Sequence, residues 1–290
     1  MTLEQRLSNS QKWWIFVKER FPIPTNGVMV LAFTSGNLAI ASYDSFFSYQ
    51  TLLVLLLCFS FFLRLRLFDE LKDYETDLEI NPTRPLARGL LSRKTVKQGF
   101  MILTIFEIIL AAFLDITLVH GIAVAYSYVM YKEFFCGKFL SQHLTTYAVT
   151  HTFVSTLLGF SIVNITDNIE LRTFPHYIIS LGLFNWCMFN LFEFARKTYA
   201  TSEERKNVNT YSSQFKPIGA ILLSLSQVGI AGLTVWNYWM LSTVGIVLLS
   251  LQVLVCLPYL IKDSPSTAKL FRNTTGLFLI LFYVEKTLLL

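Results

Sequence analysis

Three observations predict an all-α polytopic membrane protein, a helical bundle of about nine transmembrane helices around a central cavity, with a cytoplasmic N-terminus. Of its 290 residues, 53% are hydrophobic and 15% charged, with a mean hydropathy of +0.51, which is too apolar for a soluble domain of this size. Apolar runs long enough to cross roughly 30 Å of hydrocarbon recur about nine times. Of the 24 Lys and Arg residues, 22 fall in the N-terminal segment or in alternate connections, the asymmetry expected of cytoplasmic loops.

In chain order, segment 1–26 comes first, with Trp13, Trp14 and Phe16 interleaved with Lys12, Lys18 and Arg20. That pattern predicts an amphipathic helix lying on the membrane surface. Spans are expected at 27–43, 50–69, 96–115, 117–135, 144–163, 175–195, 217–236, 238–261 and 270–289. The connections 70–95 and 196–216 are long and polar, and are expected to form a cytoplasmic cap. Only Arg172 and Lys286 are left for the opposite face. Four cysteines, Cys58, Cys136, Cys187 and Cys256, lie in apolar runs without a C-x-x-C pair, so neither a disulfide framework nor a zinc site is indicated. Glu107, Asp115, His151 and Asn185 fall within apolar runs and should face the bundle, since charge in lipid is expensive; Glu107 is expected to be protonated and hydrogen-bonded to a neighbouring helix.

The second span ends in charge. Asp69, Asp73 and Asp77 are four apart and would form one helical stripe drifting about 40° per step, with Glu70 on the same face. Like charges so close repel, and a cation among them would relieve the repulsion. Hard oxygen ligands in a partly hydrated site suit Mg2+, which takes one or two carboxylates and leaves positions for substrate phosphate oxygens. Arg84 and Arg88 follow and would pair with phosphate directly.

The order of these residues is more specific than their charge. Asp69-Glu70-x-x-Asp73-Tyr74-Glu75-x-Asp77, followed by Asn81-Pro82-Thr83-Arg84-Pro85-Leu86, resembles the first aspartate-rich motif of the UbiA superfamily of intramembrane prenyltransferases. That motif reads N-D-x-x-D-x-x-x-D and is followed by an N-R-P-L type segment. Asp69 stands where the family has Asn, Glu70 where it has the first Asp, and Thr83 where it often has Asn. The resemblance implies a single UbiA-like domain over 1–290, metal ligation by Asp69, Glu70, Asp73 and Asp77, and diphosphate binding by Arg84.

A second constellation ends the sixth span. Asn190, Glu193 and Lys197 repeat the i, i+3, i+7 spacing of Glu70, Asp73 and Asp77, so two similar stripes would meet if the bundle brings their helices face to face. The family carries a second aspartate motif at this point, D-x-x-D-x-x-x-D, which here reads N-x-x-E-x-x-x-K. A carboxylate holding Mg2+ presents about one positive charge, and Lys197 presents the same without a metal. The expectation is that Glu193 with Asn190 helps hold one ion while Lys197 and Arg196 contact diphosphate. Tyr128 and Lys132 resemble the Tyr and Lys often seen there in the family and would reach the diphosphate; an interfacial Tyr/Lys belt accounts for the same pattern.

These readings converge on Mg2+-dependent ionisation of a prenyl diphosphate and transfer of the prenyl group to an aromatic acceptor, with Asp73, Asp77, Glu193 and Lys197 as the catalytic set. The expected partners are the diphosphate, the acceptor and the lipid bilayer, and no nucleic acid. A terpene cyclase acting on farnesyl or geranylgeranyl diphosphate without an acceptor is the alternative raised by the altered motifs. A transporter is the alternative of another class, disfavoured because the acids crowd one face and no paired Gly/Pro-interrupted spans occur.

Overall fold

A computed structural model describes residues 7–41, 48–167, 176–205, 208–239 and 242–288, and every regular element among them is helical. The chain divides into two compact units, 1–34 with 45–131, and 35–44 with 132–290.

The first unit begins with α1 (Asn9–Arg20), which Ser8 starts through a capping box: its hydroxyl accepts from the Gln11 amide while the Gln11 side chain accepts from the Ser8 amide. α2 (Ile23–Ile40) follows and runs on into the second unit past Thr34. Ser48 and Ser92 cap α3 (Tyr49–Lys72) and α5 (Arg93–Phe113), accepting from the amides three residues on at 3.2 and 3.0 Å. Between them lies the short α4 (Tyr74–Ile80), and α6 (Thr117–Tyr131) completes the unit. α3 packs on both α5 and α6.

The core of this unit gathers Phe16, Leu67, Phe68, Leu86 and Phe100. Phe16 is completely buried against protein, so this part of α1, expected from the sequence to lie on the membrane surface, also docks on the ends of α3 and α5. Trp14 is half exposed, with the Lys18 ammonium 5.0 Å from its ring centre.

A fully buried ion pair ties α3 to α5. Arg64 donates to both Glu107 oxygens at 2.8 to 3.0 Å and to the Ser127 hydroxyl of α6 at 2.7 Å, and Ser60 adds a bond to Glu107 at 3.2 Å. The guanidinium also lies 4.7 Å from the Phe61 ring centre. Arg64 therefore belongs to the interior and not to the polar connection in which its charge would place it, and Glu107 is held as an ion-pair partner rather than by a neutral hydrogen bond alone. Asp115, expected deep, is exposed at the turn between α5 and α6, with φ 57°.

In the second unit, α7 (Gly137–Gln142), α8 (Leu144–Thr152) and α9 (Val154–Asp167) lead to α10 (His176–Arg196). α10 packs on α8, on α9, on α11 (Tyr211–Trp239) and on α13 (Pro265–Leu288), while α12 (Thr243–Ile261) lies against α11 and α13. α11 breaks at Lys216, whose φ of 59° precedes Pro217; a residue before proline is disfavoured in the helical region, which explains why the sequence pattern starts this span at 217. Asn185 is indeed interior: it accepts from the Tyr283 hydroxyl at 2.6 Å and donates to Asn37 at 2.7 Å.

Among the described residues, seven helices are long and apolar enough to cross a membrane, fewer than the nine expected. α6 spans 15 residues, about 22 Å, because its helix ends at Tyr131 and residues 133–135 turn with positive φ. α13 is long enough but carries Lys269, Arg272, Glu285 and Lys286. Lys286, assigned by sequence to the opposite face, is buried and paired with Glu285 at 2.9 Å. Arg172 lies outside the described residues.

Candidate active site

The first acidic cluster sits where α3 gives way to α4. The helix does not continue through the motif: Asp73 caps α3 by donating its amide to the Asp69 carbonyl at 2.9 Å, and α4 starts at Tyr74. The single stripe expected from the four-residue spacing is therefore interrupted at its middle member. Asp77 is buried on α4, where Arg84 donates to both of its oxygens at 2.7 and 2.6 Å and Asn81 adds a bond at 3.1 Å. The segment 81–86 thus folds back so that its arginine closes on the last acid of the motif.

Glu70 is also buried and pairs with Arg20 of α1 and, at 3.4 Å, with Arg66; its Oε2 has no hydrogen-bond partner among the described residues. Asp69, half exposed, lies 3.6 Å from Arg66. Arg88 binds Glu19 of α1 at 2.8 and 2.9 Å and the Thr83 carbonyl at 2.6 Å, so it anchors the loop. Asp73 differs from its neighbours: among the described residues it has no basic group within ion-pair distance. Partial burial first, then the fields of Asp69 and Asp77, push its carboxyl above the usual carboxylate range, against the opposing pull of Lys72 and Arg84.

No three His, Cys, Asp or Glu side chains are close enough to hold a metal by themselves among the described residues. The donor set nevertheless fits Mg2+ used in the ordinary way, on one or two carboxylates with the remaining positions left to phosphate and water. A cation beside Asp73 would offset the burial and the neighbouring acids that raise its carboxyl, and the Glu70 Oε2 is a buried acceptor without a hydrogen-bond partner among the described residues.

The second cluster has the expected spacing and a different chemistry. Glu193 accepts from Arg196 and from Lys197 at 2.9 Å, and is largely covered. Asn190 is buried, accepts from the Thr152 hydroxyl and donates to Gln227 at 3.2 Å. The expectation that Asn190 and Glu193 hold an ion meets a physical obstacle: the one acid already faces two cations on its own helix end, and the amide is committed on both sides. Lys197 keeps about a quarter of its surface and stands 5.8 Å from the Tyr147 ring centre, with the His151 ring stacked on Tyr147 at 3.9 Å. Segment 196–216 is tied down from α12 and α13: Arg272 reaches Glu203 and the Thr198 carbonyl, and Tyr259 donates to the Tyr199 carbonyl at 2.6 Å.

Tyr128 lies in the first unit, partly buried against Phe68 and Phe100 and bonded to the Thr104 hydroxyl at 2.8 Å. Lys132 is exposed just beyond α6. Sequence reasoning missed Glu19, Arg20 and Arg66 as partners of the motif. Arg66 was signalled by its helical spacing to Glu70, whereas Arg20 and Glu70 are 50 residues apart and no periodic pattern links them.

The UbiA prenyltransferase family profile matches residues 28–281, which include both clusters. The chain belongs to that family. The UbiA assignment agrees with solved structures. One is described as giving structural and mechanistic insights into the biosynthesis of digeranylgeranylglyceryl phosphate synthase in membranes; it shares 14% identity over 95% of this chain and 99% of its own, with a TM-score of 0.63. Another, the apo structure of a UbiA homolog from Aeropyrum pernix K1, shares 15% identity over 89% of this chain and 96% of its own, with a TM-score of 0.61. At such identities these neighbours establish the fold. No curated protein matches the chain. As a UbiA family member with seven membrane-length helices among the described residues, it is an integral membrane protein of prenyltransferase fold.

Proposed function

We propose that this chain is a Mg2+-dependent intramembrane prenyltransferase that ionises a prenyl diphosphate and passes the prenyl group to an aromatic acceptor, with its polar residues at the cytoplasmic face. The observation that carries this reading is the α3–α4 junction, where Asp73 stands crowded and unpaired between Asp69 and Asp77 while Arg84 is already folded onto Asp77. Held on Asp73 with Glu70, Asp69 or Asp77, Mg2+ would neutralise charge on the leaving diphosphate and ease breaking of the allylic C–O bond. Arg84 would move between Asp77 and a phosphate oxygen. Lys197 and Arg196 would contact diphosphate as direct cations, with Glu193 as the acid that positions them. The allylic cation must be kept from water, and aromatic faces are the groups in this chain able to stabilise it.

The departure of the second motif from the family pattern supports one second reading, cyclisation of the chain without an acceptor. One experiment separates the possibilities. Purified protein receives farnesyl or geranylgeranyl diphosphate with Mg2+, with and without an aromatic acceptor, and diphosphate release is measured. Mg2+-dependent release that needs the acceptor supports transfer; release with a cyclic product and no acceptor supports cyclisation. No release under any of these conditions would overturn the enzyme assignment.

A further inference from the structure

The first turns of α5 carry two lysines that the acidic motif does not use. Arg93, beside them, is paired with Glu75 at 3.2 Å and lies 4.9 Å from the Tyr74 ring centre. Lys94 and Lys97 are exposed and have no carboxylate partner among the described residues, although the acidic stretch 69–79 precedes them in the chain. At i and i+3 they share a face, which continues through Met101. They also stand at the helix N-terminus, where the backbone dipole favours an anion.

Below the lysines the exposed face of α5 turns apolar and opens into a shallow depression. A depression of about 590 Å³ is lined by Lys94, Lys97, Gln98, Met101 and Ile102. A second groove, of about 380 Å³, shares Gln98 and Ile102 with it and runs between α5, α3 and α1 past Leu103, Leu67 and Trp13. Gly99 is what lets the Trp13 ring form this wall: a Cβ there would stand 2.6 Å from the ring. α5 is a membrane-length helix of which only 28% is buried, and Ile102 and Ile105 are more than half exposed, so this face meets lipid.

We propose that this surface is a binding site for one anionic phospholipid, its phosphate held by Lys94 and Lys97 and one acyl chain laid along the groove between α5, α3 and α1. The pairing of charge with an apolar surface selects this occupant: two cations without a carboxylate partner among the described residues lie at one end, and an open apolar face leads from them, through Gln98 and Ile102, to the groove between α5, α3 and α1. A zwitterionic lipid would satisfy the track but carry its own cation to the lysines. By seating on α1 and α5 together, the lipid would hold α1 on the helix end that carries the acidic motif.

The site is separate from the residues assigned to the diphosphate, and binding is read without turnover. Full-length protein in detergent is titrated with phosphatidylglycerol or phosphatidylcholine, and bound lipid is counted by native mass spectrometry. The expected result is one phosphatidylglycerol bound roughly tenfold more tightly than phosphatidylcholine, a preference abolished by Lys94→Ala with Lys97→Ala, or by Gln98→Glu. Lys94→Arg with Lys97→Arg should retain it, and so should Lys138→Ala, which removes an exposed lysine elsewhere. Equal binding of the two lipids, or an unchanged preference in the double-alanine variant, would overturn the proposal. So would displacement of the lipid by inorganic phosphate or farnesyl diphosphate at equal concentration, because the groove would then be a general anion or substrate site.

Discussion

Two clusters with the same i, i+3, i+7 spacing have opposite electrostatic outcomes in this molecule. At Glu70, Asp73 and Asp77 the helix stops in the middle of the triplet, so the acids lie on two helices, and each outer one has recruited an arginine distant in sequence or across a turn. Among the described residues the central Asp73 has no cation within ion-pair distance, though Lys72 and Arg84 act on it from further away. At Asn190, Glu193 and Lys197, Lys197 follows directly on α10, and the acid is neutralised by the two residues three and four positions ahead of it. Spacing alone sets which side chains share a face; the break in the helix and the local supply of cations decide whether that face is short of positive charge. On the proposed reading, the first cluster would take a metal ion and the second would act as a fixed cation.

The largest effect that would test this contrast is at Asp73. Asp73→Asn keeps the shape and removes the unpaired charge, and is expected to lower kcat/KM about a hundredfold in a diphosphate-release assay. Asp77→Asn should be milder, because Arg84 is freed to face the phosphate. If the two substitutions are equally harmful, the distinction drawn within the first cluster fails. Lys197→Ala comes next, with KM for the prenyl diphosphate rising roughly tenfold and the Mg2+ concentration for half-maximal rate unchanged, as expected for loss of one charge-assisted contact. Glu193→Gln should change kcat/KM only about two- to threefold and also leave the Mg2+ requirement alone, since its partners are cations. A Mg2+ requirement that shifts in Glu193→Gln would restore a metal to the second cluster.

The part of this architecture that sequence could show is the part that hydropathy and short motifs encode. A polytopic helical membrane fold and the UbiA family follow from apolar runs and from the order Asp69 to Leu86, although those runs suggest nine spans where the described residues hold seven membrane-length helices. What could not be seen are contacts made across long separations. Arg64 looks like the first charge of a polar loop until Glu107, 43 residues on, is placed beside it. α1 has the composition of a surface helix, and only the burial of Phe16 shows that one side of it also packs on protein. The break at Asp73 carries no glycine or proline to announce it, because an aspartate with ordinary negative φ makes the turn. At Pro217, by contrast, the residue type announced the break, although the helix resumes on both sides.

The smallest effect is on stability, and its sign differs between Asp73 and Glu203, an acid outside both clusters. Burial and the neighbouring Asp69 and Asp77 raise the Asp73 carboxyl, so the folded protein holds that proton more tightly than the unfolded chain does. Stability linked to Asp73 is therefore greatest at pH below its ordinary value of 3.8 and declines as pH rises through its raised folded value. Asp73→Asn should then melt higher than the unsubstituted protein at pH 7, with the difference vanishing toward pH 3.5. Glu203 provides the opposite case. Hydrogen bonds from Arg272 lower its carboxyl, so Glu203→Gln should melt lower at pH 7 and converge with the parent as pH falls through the folded value. Thermal unfolding in detergent across this range checks both. Added Mg2+ should raise the melting point of the parent at neutral pH and leave Asp73→Asn unmoved, because a bound cation stabilises only the fold that has an uncompensated acid to offer it. A variant at the proposed metal site that is less active yet more stable would mark that acid as retained for chemistry at the expense of folding.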